Sequence, residues 1–197
     1  MDEEDKRSLE EIHDYWKNES LPEHYLRHSG RSELLYNHIN KYIDESKQVL
    51  EIGCNLGRNL NYLYENNYKK LTGIEISEEA INQLKKYHPH LIDHGEIIHS
   101  SVENIIEELP TNQYDLVFTM AVLEHIHPDS EWIFKEIARI TDAYLMTIEA
   151  EKSEHWRIFP RNYKEIFEEL GFKQIEEGKC GKNVGLQAYT IRVFKKV

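Results

Sequence analysis

The sequence predicts an α/β protein. An open, mostly parallel sheet of seven strands is flanked by helices, ends in a C-terminal antiparallel hairpin and is preceded by an N-terminal helical cap. Three observations carry this expectation. From Gln48 onward, apolar runs of strand length alternate with segments of helical periodicity. The first run leads into VLEIGCNLGRNL (49–60), where an acid and two glycines stand directly ahead of a helix. The last two runs, FKQIEE and AYTIRVFKK, follow one another with no helix between them.

The elements follow in order. SLEEIHDYWK (8–17) carries Leu9, Ile12, Tyr15 and Trp16 at helical spacing. A break is expected at Ser20-Leu21-Pro22, and RSELLYNHINKYI (31–43) then sets Leu34, Leu35, Ile39, Tyr42 and Ile43 on one broad helical face. Residues 1–45 are read as a helical lid and 46–197 as the core. QVLEIG is the first strand, with a helix over 57–64. KLTGIEI (70–76) is the second strand. SEEAINQLKKY (77–87) is the next helix, with Ser77 as its cap and Glu78 and Glu79 in its first turn. GEIIHS and YDLVFTM (114–120) are the third and fourth strands. A helix over 129–141, the strand AYLMTIEA and the helix NYKEIFEELG, stopped by Gly171, lead to the closing hairpin.

Composition narrows the function. The 197 residues are 40% hydrophobic, enough for one domain with a core. The formal charge is −12, and no cluster of Lys and Arg offsets it, which argues against nucleic acid and anionic membranes as partners. No apolar run approaches the length of a membrane span, and the N-terminus MDEEDKRSLEE lacks the apolar stretch of a signal peptide. Cys54 and Cys180 are too few for a disulfide framework. A cytoplasmic protein, monomeric or homodimeric, is expected.

The glycine stretch points to a ligand. In a doubly wound sheet, ligands bind beyond the carboxyl ends of the strands. Gly53 permits the turn there, and Gly57 opens the helix. A phosphate loop needs GxxxxGK[ST], and no Lys follows. The middle glycine of a dinucleotide GxGxxG motif is replaced by Asn55. Glu51 precedes Gly53 by two residues and faces the loop region. Glu75 ends the second strand, 22 residues after Gly53, where an acid accepts bonds from both ribose hydroxyls. The ligand so described has a ribose, a cationic amino-acid-like end and no phosphate.

EIGCNLG, GIEIS, HSSVENI and YDLVFTMAVLEHI, in this order, resemble the motifs of the class I S-adenosylmethionine-dependent methyltransferases, a Rossmann-like fold, and specifically their ubiquinone/menaquinone-biosynthesis-like small-molecule type. The resemblance covers roughly residues 48–197. It implies S-adenosyl-L-methionine as cofactor. Glu51, Gly53, Asn55 and Gly57 then line its methionine moiety, Glu75 binds the ribose with Ile76 against the adenine, Ser101 and Val102 meet the adenine edge, and Met120 and Ala121 line the reaction channel. Ser101 stands where the family usually has an acid.

Methyl transfer from a sulfonium needs alignment and a dry site, with a base where the nucleophile carries a proton. His125 and His127 follow the fourth strand and are the candidates among 11 histidines. His88, His90, His94 and His99 straddle a helix end, a loop and a strand, so no metal site is expected. EAEKSEHWRIFPRNY (149–163) lies where family members cover the substrate. Its His155, Arg161 and Tyr163, with Arg31, are the expected acceptor contacts. Arg157 and Arg161 stand out in so acidic a chain, and Pro160 suits the first turn of the helix that follows. The aromatics Tyr15, Trp16, Tyr25 and Tyr36 suit a packed cap or a lid. The reading is a methyltransferase acting at O or N of a small anionic metabolite. The alternatives are a peptide or protein methyltransferase and a non-catalytic binding module, with a nicotinamide-dependent oxidoreductase a distant third.

Overall fold

The computed structural model describes residues 7–19, 22–25 and 29–197. Its centre is one seven-stranded sheet in the order β3-β2-β1-β4-β5-β7-β6. The strands are β1 (Gln48–Ile52), β2 (Lys70–Glu75), β3 (Glu96–His99), β4 (Tyr114–Met120), β5 (Thr141–Glu149), β6 (Phe172–Lys179) and β7 (Thr190–Lys196). β1 to β5 pair in parallel; β7 runs antiparallel to both β5 and β6. The expected sheet and hairpin are both present.

Alternate residues of each strand serve opposite layers. Val49, Leu116, Phe118, Met146 and Ile148 join a core with α2 (Ser29–Ile39), α3 (Arg58–Glu65) and α4 (Glu78–Tyr87). Leu50, Ile52, Ile74, Val117 and Leu145 join the opposite core with α7 (Ile133–Ile140) and α8 (Tyr163–Glu169). Burial on both faces explains why these parallel strands read as near-continuous apolar runs. The chain order reverses between β1 and β4, so their carboxyl ends diverge and leave a crevice.

Several boundaries differ from the expectation. The first helix is short: α1 (Leu9–Asp14), closed by a capping box between Ser8 and Glu11, passes into a π-helical turn, Tyr15–Glu19. Of the expected break, Ser20 and Leu21 lie outside the described residues. α5 (Pro89–His94) is an additional helix started by Pro89. α6 (Val102–Ile105) follows β3, and a 3₁₀ turn at Pro128–Ser130 precedes α7. No helix among the described residues is long and apolar enough to cross a membrane.

The turn after β1 is fixed by glycine. Gly53 has φ +72°, and a Cβ there would lie 2.5 Å from Cγ2 of Val122, on the loop after β4. An alanine adds both left-handed strain and a clash against a stiff β-branched side chain. Gly53→Ala is expected to cost about 2 kcal/mol or more, which lowers Tm by roughly 4–8 °C. Thermal unfolding followed by circular dichroism checks it, and an unchanged Tm contradicts it.

Candidate functional site

A cavity of about 370 Å³ opens over the carboxyl ends of β1, β2 and β4. Leu9, Ile12, His13 and Trp16, from α1 and the π-helical turn, line it from the N-terminal side. His13 Nε2 lies 3.1 Å from Glu103 Oε1, which ties α1 to α6.

One half of the cavity is organised by Glu75. Its Oε2 accepts from the Asn55 N–H and its Oε1 from the Ser77 N–H, each at 2.8 Å. Ser77 also caps α4 through its hydroxyl. The carboxylate is buried and its pKa is raised by that burial, against the pull of the backbone donors. Asn55 holds φ 50°, a left-handed conformation that Asn tolerates. Ile76, Ser101 and Val102 line the adjoining wall. Ser101 is 6% exposed and its Oγ has no hydrogen-bond partner.

Glu51 and Gly57 are corrections to the sequence reading, because neither lines the cavity. Glu51 shares the face of Val49, under α3, and accepts from Asn59 Nδ2 at 2.7 Å. Asn59 Oδ1 in turn receives the Arg58 guanidinium and the Ser32 hydroxyl. Glu51 thus supports Asn59 and Arg58, which do line the cavity. Its second oxygen is buried and unpartnered, and burial pushes its pKa up to about 8. Gly57, at φ +79°, packs against Leu84 and Leu91 instead of a ligand.

The other half lies beyond β4. Met120, Ala121, His125 and His127 line it, and Ala121 turns the chain at φ 58°. The His125 ring packs on Trp16 with centroids 4.6 Å apart. Its Nδ1 lies 2.8 Å from the Arg157 carbonyl. A carbonyl only accepts, so Nδ1 carries the proton and Nε2 is left with a lone pair. Burial holds this imidazole down to about 4, so it is neutral at pH 7. His127 Nδ1 accepts from the Asp129 N–H and caps the 3₁₀ turn.

The expected acceptor contacts divide. Arg31 lines the cavity, anchored by Nε on the Val184 carbonyl at 2.9 Å. Arg161 does not: its guanidinium is spent on Glu131 and the carbonyls of Leu123, Phe159 and Ile126. Tyr163 is fully buried against Phe134 and Phe167. His155 is exposed in a bridge with Ile158, off the cavity. In their place Arg157 reaches the cavity and lies 5.0 Å from the centre of the Tyr15 ring and 5.6 Å from that of Trp16. The sequence reading also passed over Arg58, Glu124 and Tyr189, all of which line the cavity. Among the described residues no group of three or more His, Cys, Asp or Glu is arranged to hold a metal ion.

These donors fit a nucleoside bearing an amino-acid tail. Glu75 keeps lone pairs for a diol, Ser101 offers an unsatisfied hydroxyl to a base edge, and Arg58 supplies a cation for a carboxylate.

Residues 50–143 match the family profile described as a methyltransferase domain. No curated protein is similar enough in sequence to count as a match. Among solved structures, magnesium protoporphyrin IX methyltransferase from Synechocystis PCC 6803 with bound S-adenosylhomocysteine is 13% identical at a TM-score of 0.74, over 96% of this chain and 100% of that one. A S-adenosylmethionine-dependent methyltransferase from Archaeoglobus fulgidus is 16% identical at 0.64, over 84% and 94%. The [4+2]-cyclase SpnF is 15% identical at 0.68, over 85% and 80%. At these identities the structural likeness establishes the fold, and the family profile adds the domain type. Residues 50–143 are thus similar to a methyltransferase domain, and the chain shares the fold of solved S-adenosylmethionine-dependent methyltransferases.

The Glu51 carboxyl gives a test of the support behind Arg58. Its folded pKa lies above the ordinary 4.5, so its contribution to stability is complete below pH 4.5 and is lost as pH rises through about 8. Glu51→Gln removes that loss. The Tm of the variant is expected to gain on the wild type by roughly 5 °C or more as pH rises from 4.5 to 8, read by scanning fluorimetry. Parallel Tm curves contradict the buried, protonated carboxyl.

Proposed function

We propose that this protein is an S-adenosylmethionine-dependent methyltransferase that acts on oxygen or nitrogen of a small anionic acceptor, bound beneath a lid formed by residues 1–45 on a core of 46–197. One observation carries the reading. In a chain of formal charge −12, the described residues that line the cavity include three arginines, Arg31, Arg58 and Arg157, and no lysine. Its carboxylates are already engaged: Glu75 by two backbone N–H groups, Glu103 by His13 and Glu124 by Ala150 and Tyr189. Positive field is therefore concentrated where the ligands sit.

When bound, the cofactor supplies an activated methyl group on a sulfonium. The chain does the rest. Glu75 holds the ribose hydroxyls, Ile76 and Val102 enclose the base, and Ser101 meets its edge. Gly53 and Asn55 bring the backbone close to the methionine moiety, and Arg58 takes its carboxylate. Arg31 and Arg157 orient the acceptor's anionic group, while Met120, Ala121 and Trp16 exclude water around the reacting atoms. His125, neutral and with Nε2 bare, takes the proton from the acceptor's O–H or N–H. His127 shapes the mouth beside it. The acidic surface supports a partner other than nucleic acid. The two buried free cysteines suit a cytoplasmic monomer or homodimer.

Calorimetry tests the cofactor half: S-adenosylhomocysteine binds and NAD does not, and Glu75→Ala abolishes the binding. Acceptors are then screened among small carboxylates and phosphates by release of S-adenosylhomocysteine. Arg31→Leu is expected to raise the KM of the acceptor at least about tenfold, the equivalent of one lost ion pair near 1.4 kcal/mol, with cofactor affinity unchanged. Equal acceptor KM values, or turnover of cationic acceptors only, would overturn the anionic reading.

A further inference from the structure

Behind His125 lies a group of buried acids that the reaction as described does not use. Glu124 is 1% exposed and lines the cavity; Glu149, at the end of β5, is fully buried behind it. Glu124 accepts from the Ala150 N–H and, at 3.1 Å, from the Tyr189 hydroxyl. Glu149 accepts from the Thr119 hydroxyl at 2.7 Å and from the N–H groups of Val122 and Glu124 at 3.0 and 3.2 Å. The two residues adjoin, since Glu149 accepts from the Glu124 N–H, and the charge of Glu124 raises Glu149. Two adjoining carboxylates in so dry a place cannot both be charged, so the pair keeps one proton between them.

The geometry points to a proton path that runs from the methylated atom through His125 to the Glu124–Glu149 pair, with Glu124 as the terminal proton acceptor. This rests on the proposed role of His125. The Arg157 carbonyl fixes the Nδ1–H tautomer, and the bare Nε2 lies 3.5 Å from Glu124 Oε1. Once Nε2 takes up a proton, it can donate to Oε1 across that gap. As the acceptor's lone pair bonds to the methyl carbon, the carbon–sulfur pair returns to sulfur and the acceptor's proton passes to Nε2. Nε2 passes it to Oε1, and the pair goes from one proton to two. The Tyr189 hydroxyl can rotate from donor to acceptor as Oε1 becomes protonated. Release to water through the cavity restores the resting state.

Relative proton affinity drives the second transfer. Burial holds His125 down to about 4, whereas burial raises both Glu124 and Glu149, and Glu124 raises Glu149 further. The usual order of imidazole and carboxyl is thus inverted, and a proton does not stay on His125. The groups facing the pair are Tyr189 before β7, Tyr163 on α8, His125 itself and Arg157, whose charge lowers both Glu124 and His125. His155 also lowers His125, and Arg31 acts on Tyr189.

The test uses the whole protein with S-adenosylhomocysteine bound. In a Glu51→Gln background, which removes the other buried acid held protonated near pH 7, infrared spectra at pH 7 are expected to show a protonated carboxylic-acid band that shifts in D₂O and disappears on adding either Glu124→Gln or Glu149→Gln. Nitrogen NMR is expected to find His125 neutral, with its proton on Nδ1, down to about pH 5. With an acceptor from the screen, Glu124→Gln should lower kcat about 100-fold and alter the pH profile, and Glu124→Asp should restore part of it, with the cofactor KM unmoved. Absence of the acid band in the Glu51→Gln background, a protonated His125 at pH 7 or an Nε2–H tautomer overturns the path, and the His125 spectra need no variant to fold. Such a failure leaves cofactor binding and the Arg31 result standing. A failed anionic reading, conversely, leaves these spectra unchanged.

Discussion

Two backbone N–H groups from different elements converge on one buried carboxylate, and the wall of the cavity beyond β1 and β2 depends on that convergence. Asn55 belongs to the turn after β1 and Ser77 to the start of α4; Glu75, at the end of β2, accepts from both. A buried carboxylate is costly unless its lone pairs are used. Here the same bonds that offset the cost hold the glycine turn, the α4 cap and the acid in one rigid unit. Glu75 and Asn55 both line the cavity, so the bond between them is part of its wall. The gap between β1 and β4 left by the reversed strand order supplies the space.

Much of this was legible in the residues. The central strands were readable because parallel strands buried on both faces leave unbroken apolar runs, as in VLEI and YDLVF. Gly53, Asn55, Glu75, Ser101 and Met120 fall beside the cavity because strand ends are where the fold gathers ligands. Positions one layer out were not legible. Glu51 is separated from Gly53 by a single residue, yet the strand's alternation turns it under α3 toward Asn59. Arg161 carries the charge an anion site wants, but sequence gives no direction for a side chain in an irregular segment, and four backbone and side-chain acceptors claim it. α5 escaped because its six residues are too few to show a period.

The acids that sequence reading passed over share one reason. Glu124 is one of 36 acidic residues, and its neighbour Glu149 lies 25 positions away on another strand end. Only the parallel pairing of β4 with β5 brings them together. Once adjacent and buried, they differ in kind from the solvated acids that make up the chain's net charge. Surface acids shape the far field, whereas this pair acts over the width of a side chain.

Ala121 carries a last implication. Its left-handed backbone, φ 58°, sits at the lip of β4 and faces the cavity. Most larger residues, and β-branched ones above all, are strained in that conformation. The bore of the passage at this point is therefore set by main-chain shape and resists widening or narrowing by mutation. A lineage that came to favour a different ligand would have to travel through the roof, at Leu9, Ile12 or Trp16, and leave this rim as it found it.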